Sequence, residues 1–422
     1  MTRALAPLFG LLLLLTGPLG AQEPAAKLPT IAPKELAVRR ARVAKAFEGT
    51  LVLMEADPLG QGMGSIDSNT PVYHFYYLAG YHREKDLLPL GAGPKGEILI
   101  TDGATAEIGL LSGVADVRPR DKFEAFVKEM TARKVTITTR LREDAKETVT
   151  HFAEQAGAKV ESAGQKIWET ITKLRMIKSP AELDMIRKAS DATNKAHLEA
   201  MKACRPGKNE KDLQTLIEAK FKTEGCEGLS FPSIVGSGKN GTILHYDTNT
   251  SEIPKDTLIV CDIGAAYRGY VTDITRTIPT EGKFGPEHKV AYQAVLDAQK
   301  AAERILRPGV TFGQLDSAAA KVLKERGLTD WSYAHSKNRS VRHGLCHYVG
   351  LAVHDSGNYG VKLEAGMVIT IEPGYYNKDK EFGIRIEDIY IVTPDGCERM
   401  SAGAPREIAE IEKLMAESNK DF

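Results

Sequence analysis

The first sustained apolar pattern follows an Ala- and Pro-rich stretch at 22–35. From 36 to about 170, strand-like runs ("GTLVLME", "GEILITD", "KVTITT") alternate with helical ones such as "DKFEAFVKEMTARK". Strands interleaved with helices predict a smaller α/β domain over 36–170, with 22–35 as the linker before it. Within it, "TPVYHFYYLAGYH" carries His74 and His82 and reads as aromatic core with a polar edge.

The pattern changes at "LRMIKSPAELDMIRKASDATNKAHLEAMKAC". Ser179 stands before Pro180, and Glu182 follows at the third helical position, which is a capping box with proline where a missing N–H is harmless. A long amphipathic helix is predicted from there to about Cys204. Further helices fit 210–224, 286–306 and 311–326, with strands between and after. A chain of 422 residues is too long for one core. We therefore read 171–422 as a second domain, and the fold class as α/β with α+β character.

Two strand pairs bring acidic residues together. In "TLIVCDIGAAYRGYVTDITRTIP", segments 257–266 and 269–278 flank a turn at Tyr267-Arg268. Centring that turn between 267 and 268 sets Asp262 opposite Asp273 on one face. In "GMVITIEPGYY" and "FGIRIEDIYIVT", around the polar turn "NKDKE", a turn centred near 379/380 sets Glu372 opposite Glu387. Arg385, two residues before Glu387, shares its face. Ionised carboxylates this close repel, and burying them unpaired is costly, so positive charge must lie between them.

The segment "RHGLCHYVGLAVHD" holds His343, His347 and His354. His343 and His347 are spaced for one helical face, but Gly344 and Leu345 argue against an H-E-x-x-H zinc helix. The apolar run Tyr348–Val353, with two glycines in the segment, allows a strand instead. Both conformations stay open. The four carboxylates match the charge of two divalent cations, and one histidine would complete such a site. Oxygen-rich ligands with a single imidazole favour a hard ion such as Mn²⁺ over a thiolate-type zinc site.

Composition narrows the partners. Lys+Arg and Asp+Glu are both 56, so there is no basic field to attract nucleic acid. "MTRALAPLFGLLLLLTGPLGAQEPAA" has Arg3, an apolar run at Leu8–Leu15 and small residues after it. This reads as an export signal at 1–21, too short to span a membrane, and predicts a periplasmic or extracellular protein without stable membrane insertion. The five cysteines are scattered, form no C-x-x-C and support no disulfide framework. Cys346, beside His347, reads as a packed thiol.

Asp262 and Asp273, His343-Gly-Leu-Cys-His347, His354-Asp355, Glu372-Pro-Gly and Arg385-Ile-Glu387-Asp388 together resemble the pita-bread metallopeptidases, in the branch of Xaa-Pro aminopeptidase (aminopeptidase P) and prolidase. "LRMIKSPAEL" is similar to that branch's domain junction, and "YHFYYLAGYH" to the aromatic stretch of its first domain. The resemblance implies a creatinase/prolidase-like first domain and a pita-bread catalytic domain. It implies metal ligation by Asp262, Asp273, His347, Glu372 and Glu387, with Asp273 and Glu387 bridging two divalent ions. Mn²⁺ is the first expectation, with Co²⁺, Zn²⁺ or Fe²⁺ as alternatives. Glu372 would also act as base, His245 and His354 would face the substrate, His343 would fit a proton relay, and Tyr376 and Arg385 would support the site from behind. A homodimer or larger homo-oligomer acting on proline-containing peptides is implied too. The activity expected is removal of a residue ahead of proline. The alternatives are an Xaa-Pro dipeptidase, or a metal-free creatinase-like hydrolase or binding module. Methionine aminopeptidase fits neither the export signal nor the extra domain.

Overall fold

A computed structural model describes residues 31–56, 72–91, 97–133, 136–141, 143–337 and 339–418. The stretch read as an export signal, and most of the linker, lie outside these described residues. Helix α1 (Pro33–Ala46) begins at Pro33, so helix already occupies the end of the stretch read as linker.

The first sheet takes β1 (Thr50–Glu55), β2 (Leu87–Leu90), β3 (Ile98–Thr101), β4 (Asp116–Pro119), β5 (Thr136–Arg140) and β6 (Val160–Ser162), in the order β4-β3-β2-β1-β5-β6. Around it lie α2 (Val72–Ala79), α3 (Thr105–Ser112), α4 (Phe123–Ala132), α5 (Glu143–Ala156) and α6 (Gly164–Met176). Central β1 is buried on both faces, which is why its sequence shows no polar alternation. Leu51 and Leu53 join Phe126 of α4 and Val149 of α5, whereas Val52 and Met54 join Leu36 of α1 and Phe75 of α2. The aromatic stretch is thus a helix, and its buried side chains knit the two halves of the chain. Phe75 and Leu78 share one core with Ile186, Tyr270, Leu351 and Val353.

The second half opens with α7 (Pro180–Ala203) and α8 (Glu210–Thr223). The capping box is present: Glu182 N–H donates to Ser179 Oγ at 3.3 Å, and Ser179 N–H to Glu182 Oε2 at 2.9 Å. The same glutamate also pairs with Arg39 of α1 at 3.1 Å and accepts from Tyr270 Oη at 2.9 Å. A local helix signal therefore doubles as a tie between the halves. Then come β7 (Gly228–Leu229), β8 (Ile234–Ser237), β9 (Leu258–Ile263), β10 (Ala265–Tyr267), β11 (Tyr270–Val271) and β12 (Ile274–Pro279). Helices α9 (Pro286–Ile305) and α10 (Phe312–Glu325) follow, then β13 (Val368–Ile371), β14 (Gly374–Asn377), β15 (Phe382–Arg385), β16 (Asp388–Val392), β17 (Cys397–Arg399) and α11 (Ile408–Ser418). The helices expected at 210–224, 286–306 and 311–326 match α8, α9 and α10. Helix α11, which the apolar pattern did not single out, buries Ile411 and Met415 in the main core.

The first acidic hairpin differs in register from the one expected. Ala266 pairs with Val271 and Tyr267 with Tyr270, so the turn is centred between Arg268 and Gly269. Both turn residues have positive φ, at 51° and 82°. That is the backbone of a tight hairpin turn, tolerated here by one non-glycine residue. Asp262 consequently faces Thr275 rather than Asp273. A shift of two keeps every side chain on its face, so Asp273 remains a diagonal neighbour of Asp262. The ladder breaks at Gly264 and Thr272–Asp273, where a Cβ on Gly264 would lie 2.1 Å from Thr272 O. Only glycine fits that approach.

The second hairpin keeps the expected frame. Gly374 pairs with Arg385 on one side and Ile371 with Asp388 on the other, leaving Glu372 and Glu387 facing across the gap between the two ladders. At this gap the hairpins meet, because Thr275 forms an isolated bridge with Glu387. Glu387 N–H donates to Thr275 O at 3.1 Å. Asp262, Thr275 and Glu387 thus stand on neighbouring strands in one row.

Candidate metal centre and substrate cavity

The histidine segment is neither a helix nor a regular strand. It runs extended along β13: Glu372 N–H donates to Leu345 O and Thr370 N–H to His347 O, both at 2.9 Å, and Tyr348 bridges Ile369. This seats His347 beside the acidic row. Its Nδ1–H donates to Tyr348 O at 3.1 Å, which turns Nε2 towards Glu372 at 3.3 Å, Asp273 at 3.4 Å and Glu387 at 3.8 Å. Burial, then the neighbouring His354, lowers the His347 pKa to about 3, so the ring is neutral and offers a lone pair.

The carboxylates are equally pre-set. Asp273, Glu372 and Glu387 are each held well above the usual range, first by burial and then by one another: Asp262 acts on Asp273, Glu387 on Glu372 and Asp273 on Glu387. Asp262 Oδ1, Asp273 Oδ1 and Glu387 Oε1 are buried with no hydrogen-bond partner. Asp273, His347 and Glu387 present ligand atoms all within 4.8 Å of one another. Unpartnered oxygens and a lone pair aimed at one space repel unless a cation joins them. The donor set therefore fits a divalent metal ion.

Arg385 organises the side away from the histidine. It donates from Nη2 to Asp262 Oδ2 at 2.7 Å, from Nε to Thr275 Oγ1 at 3.2 Å and from Nη1 to Tyr376 Oη at 3.1 Å. Tyr376 Oη lies 2.8 Å from His343 Nε2, while His343 Nδ1–H donates to Gly344 O at 2.8 Å and lies 3.5 Å from Glu372 Oε2. A polar chain thus runs from Asp262 through Arg385, Tyr376 and His343 to Glu372. Burial, and next the Arg385 charge, lowers the His343 pKa to about 4.

These groups line a cavity of about 600 Å³ with apolar walls at Phe231, Pro232, Ile234, Leu244, Val353 and Tyr359. His245 is exposed in the cavity wall, and the His354 ring sits 4.4 Å from that of His347, edge to face. Every residue expected at the site lines the cavity except Tyr376, which supports it from behind. The Cys346 thiol is pushed well above its ordinary pKa by burial, then by Glu372, and all five cysteines are free.

Several supporting residues were not foreseen. Glu210, fully buried, anchors the His245 loop: its Oε1 accepts from Ser237 Oγ at 2.6 Å and Asn240 Nδ2 at 3.0 Å, and its Oε2 from Tyr246 Oη at 2.8 Å. Gln299 of α9 donates to Ile371 O and Ile386 O, at 3.1 and 3.0 Å, holding the backbone beside both glutamates. Arg175 pairs with Asp355, next to His354, and reaches His74 Nδ1 at 2.7 Å; Lys178 pairs with the same aspartate at 3.1 Å. Single polar residues in helices whose pattern is otherwise amphipathic carry no local mark of such duties.

Comparison with known proteins agrees with this geometry. The profile of metallopeptidase family M24 matches residues 184–394. The chain is 36% identical over 275 residues to an Xaa-Pro aminopeptidase of Escherichia coli, covering 60% of this chain and 62% of that relative. It is 35% identical over 257 residues to an Xaa-Pro dipeptidase of Pyrococcus furiosus, covering 60% of this chain and 70% of that one. The solved aminopeptidase PepP of Pseudomonas aeruginosa superposes with a TM-score of 0.80 at 27% identity, over 92% of this chain and 99% of that one. The chain thus spans about 62% of the length of the first curated relatives it matches. The matched half of the sequence carries all five residues of the candidate metal centre, and the chain belongs to metallopeptidase family M24.

Proposed function

We propose that this protein is a metal-dependent exopeptidase that removes the residue ahead of proline. The observation that carries the reading is the neutral Nε2 of His347 facing Asp273, Glu372 and Glu387 inside a substrate-sized cavity. Asp262, Asp273, His347, Glu372 and Glu387 would hold two divalent ions, with Mn²⁺ first and Co²⁺, Zn²⁺ or Fe²⁺ as alternatives. When bound, such ions polarise a carbonyl and make water acidic enough to attack near neutral pH.

The chain's own residues do the rest. Glu372 takes the proton of the attacking water on Oε2, the oxygen beside His343. His343 is kept in place by Tyr376, and Tyr376 by Arg385. We assign His354 to the carbonyl oxygen of the bond being cut and His245 to the peptide, since both line the cavity. Proline has no N–H and a fixed φ, so enzymes that dock substrate through that donor handle it poorly. Attack on a polarised carbonyl needs no such donor.

Purified protein should hydrolyse Xaa-Pro-Yaa peptides when supplied with Mn²⁺, lose that activity to a chelator and turn over Xaa-Ala-Yaa far more slowly. Equal rates on the proline and alanine peptides would reject the reading. The likeness to an Xaa-Pro dipeptidase supports a second one, in which the dipeptide is the better substrate. We propose export as well, on the strength of residues 1–21. The amino terminus of protein recovered from a periplasmic or culture fraction tests it, and an intact Met1 would rule it out.

A further inference from the structure

The cavity wall carries two cationic side chains, and they differ in kind. Arg385 is committed to Asp262, Thr275 and Tyr376. Arg342, which also lines the cavity, is exposed and anchored only through Nε, which donates to Ser336 O at 2.7 Å. Among the described residues no carboxylate pairs with it, and Nη1 and Nη2 bond nothing. A guanidinium held at its root and open at its fork is pre-organised for a planar, two-oxygen anion.

Its position says which anion. Arg342 directly precedes His343, so their Cα atoms are about 3.8 Å apart, and the His343 ring lies 3.5 Å from Glu372 Oε2. Arg342 is exposed, whereas His343 and Glu372 are half-buried in the same cavity, so the fork lies on its open side, within a span that one or two extended residues cover. Resting on the exopeptidase reading above, a cut made ahead of proline leaves proline and any residue after it on the outward side. We infer that Arg342 binds the carboxyl terminus of the substrate, which makes short peptides with a free carboxylate, tripeptides first, the preferred class. The cavity of about 600 Å³ has room for a peptide of that size. Asp247 also lines the cavity and is exposed.

The test uses the metal-loaded protein and two probes that it cannot cut by the proposed reaction, the dipeptide Pro-Ala and its carboxyl-terminal amide. Calorimetry should show the acid binding roughly tenfold or more tighter than the amide, the scale of a charge-assisted pair. In Arg342→Gln that difference should vanish, and in Arg342→Lys part of it should remain. In parallel, kcat/KM for Ala-Pro-Ala should fall to that of Ala-Pro-Ala amide in Arg342→Gln, with the amide unchanged. Equal binding of the two probes by the wild type overturns the inference, as does a loss in the variant that falls equally on acid and amide. Either outcome leaves Xaa-Pro hydrolysis intact. Conversely, acid-selective binding of Pro-Ala without hydrolysis of any Xaa-Pro peptide would sink the activity and keep the subsite.

Discussion

Thr275 donates from Oγ1 to Glu387 Oε2 at 2.6 Å while facing Asp262 in the ladder of β9 and β12. The two residues are 112 positions apart, and their bridge joins the two hairpins at the candidate metal centre. Thr275→Val keeps the shape and removes the hydroxyl, so Glu387 loses its donor and Arg385 Nε its acceptor. Groups that orient a metal ligand in this way are worth about 10–100-fold in affinity. Competition with a chelating dye should show metal affinity falling by that order in a folded protein. An unchanged affinity would mean that the backbone bridge alone positions Glu387.

Asp273→Asn should abolish activity and lower metal stoichiometry, because an amide keeps the size of the carboxylate but not its charge. Cys346→Ala should do little to either, since its thiol is protonated and packed near Tyr333. Elemental analysis of the two purified variants separates the roles. Metal loss in the cysteine variant equal to that in Asp273→Asn would overturn the ligand assignment.

His354→Ala should cost turnover without costing metal. Its ring meets that of His347 edge to face, and His354 belongs neither to the clustered donors nor to the acidic residues around them. Removing one hydrogen-bond donor to a developing oxyanion costs about 10²–10³-fold, so kcat on an Xaa-Pro-Yaa peptide should drop by at least the lower figure with occupancy near wild type. A fall in bound metal would place His354 among the ligands instead.

Asp355 is buried between Arg175 and Lys178. Burial by itself would raise its pKa, but Arg175 and then Lys178 outweigh it and hold the carboxyl below the ordinary range. A folded pKa below the unfolded one gives stability that is fully present above about pH 4 and is lost as pH falls through the lower folded value. Asp355→Asn leaves two buried cations unpaired and should cost about 3–5 kcal/mol at neutral pH. Thermal melts from pH 7 to pH 3 should show the wild-type advantage shrinking towards acid. A constant difference across that range would assign the loss to packing instead.

Much of this architecture is legible locally. The capping box at Ser179 marks α7 to within a residue, because its two bonds depend only on positions three apart. The pairing frame of Glu372 and Glu387 follows from one short polar turn between two apolar strands, which leaves little freedom of register. The hairpin carrying Asp262 and Asp273 is less constrained, since Tyr267, Arg268 and Gly269 allow two centres of the same parity. The faces could be read correctly while the partner could not. Whether the segment from His343 to His347 is helical or extended is undecided by its own residues, because its hydrogen bonds go to β13. That Thr275 meets Glu387, that Gln299 holds the carbonyls of Ile371 and Ile386, and that Arg175 ties His74 to Asp355 are products of the tertiary structure alone. Such pairings join residues about 70–180 positions apart. Their stability comes from burial and from satisfying polar groups inside the assembled core, quantities that no local pattern of apolar and polar positions encodes.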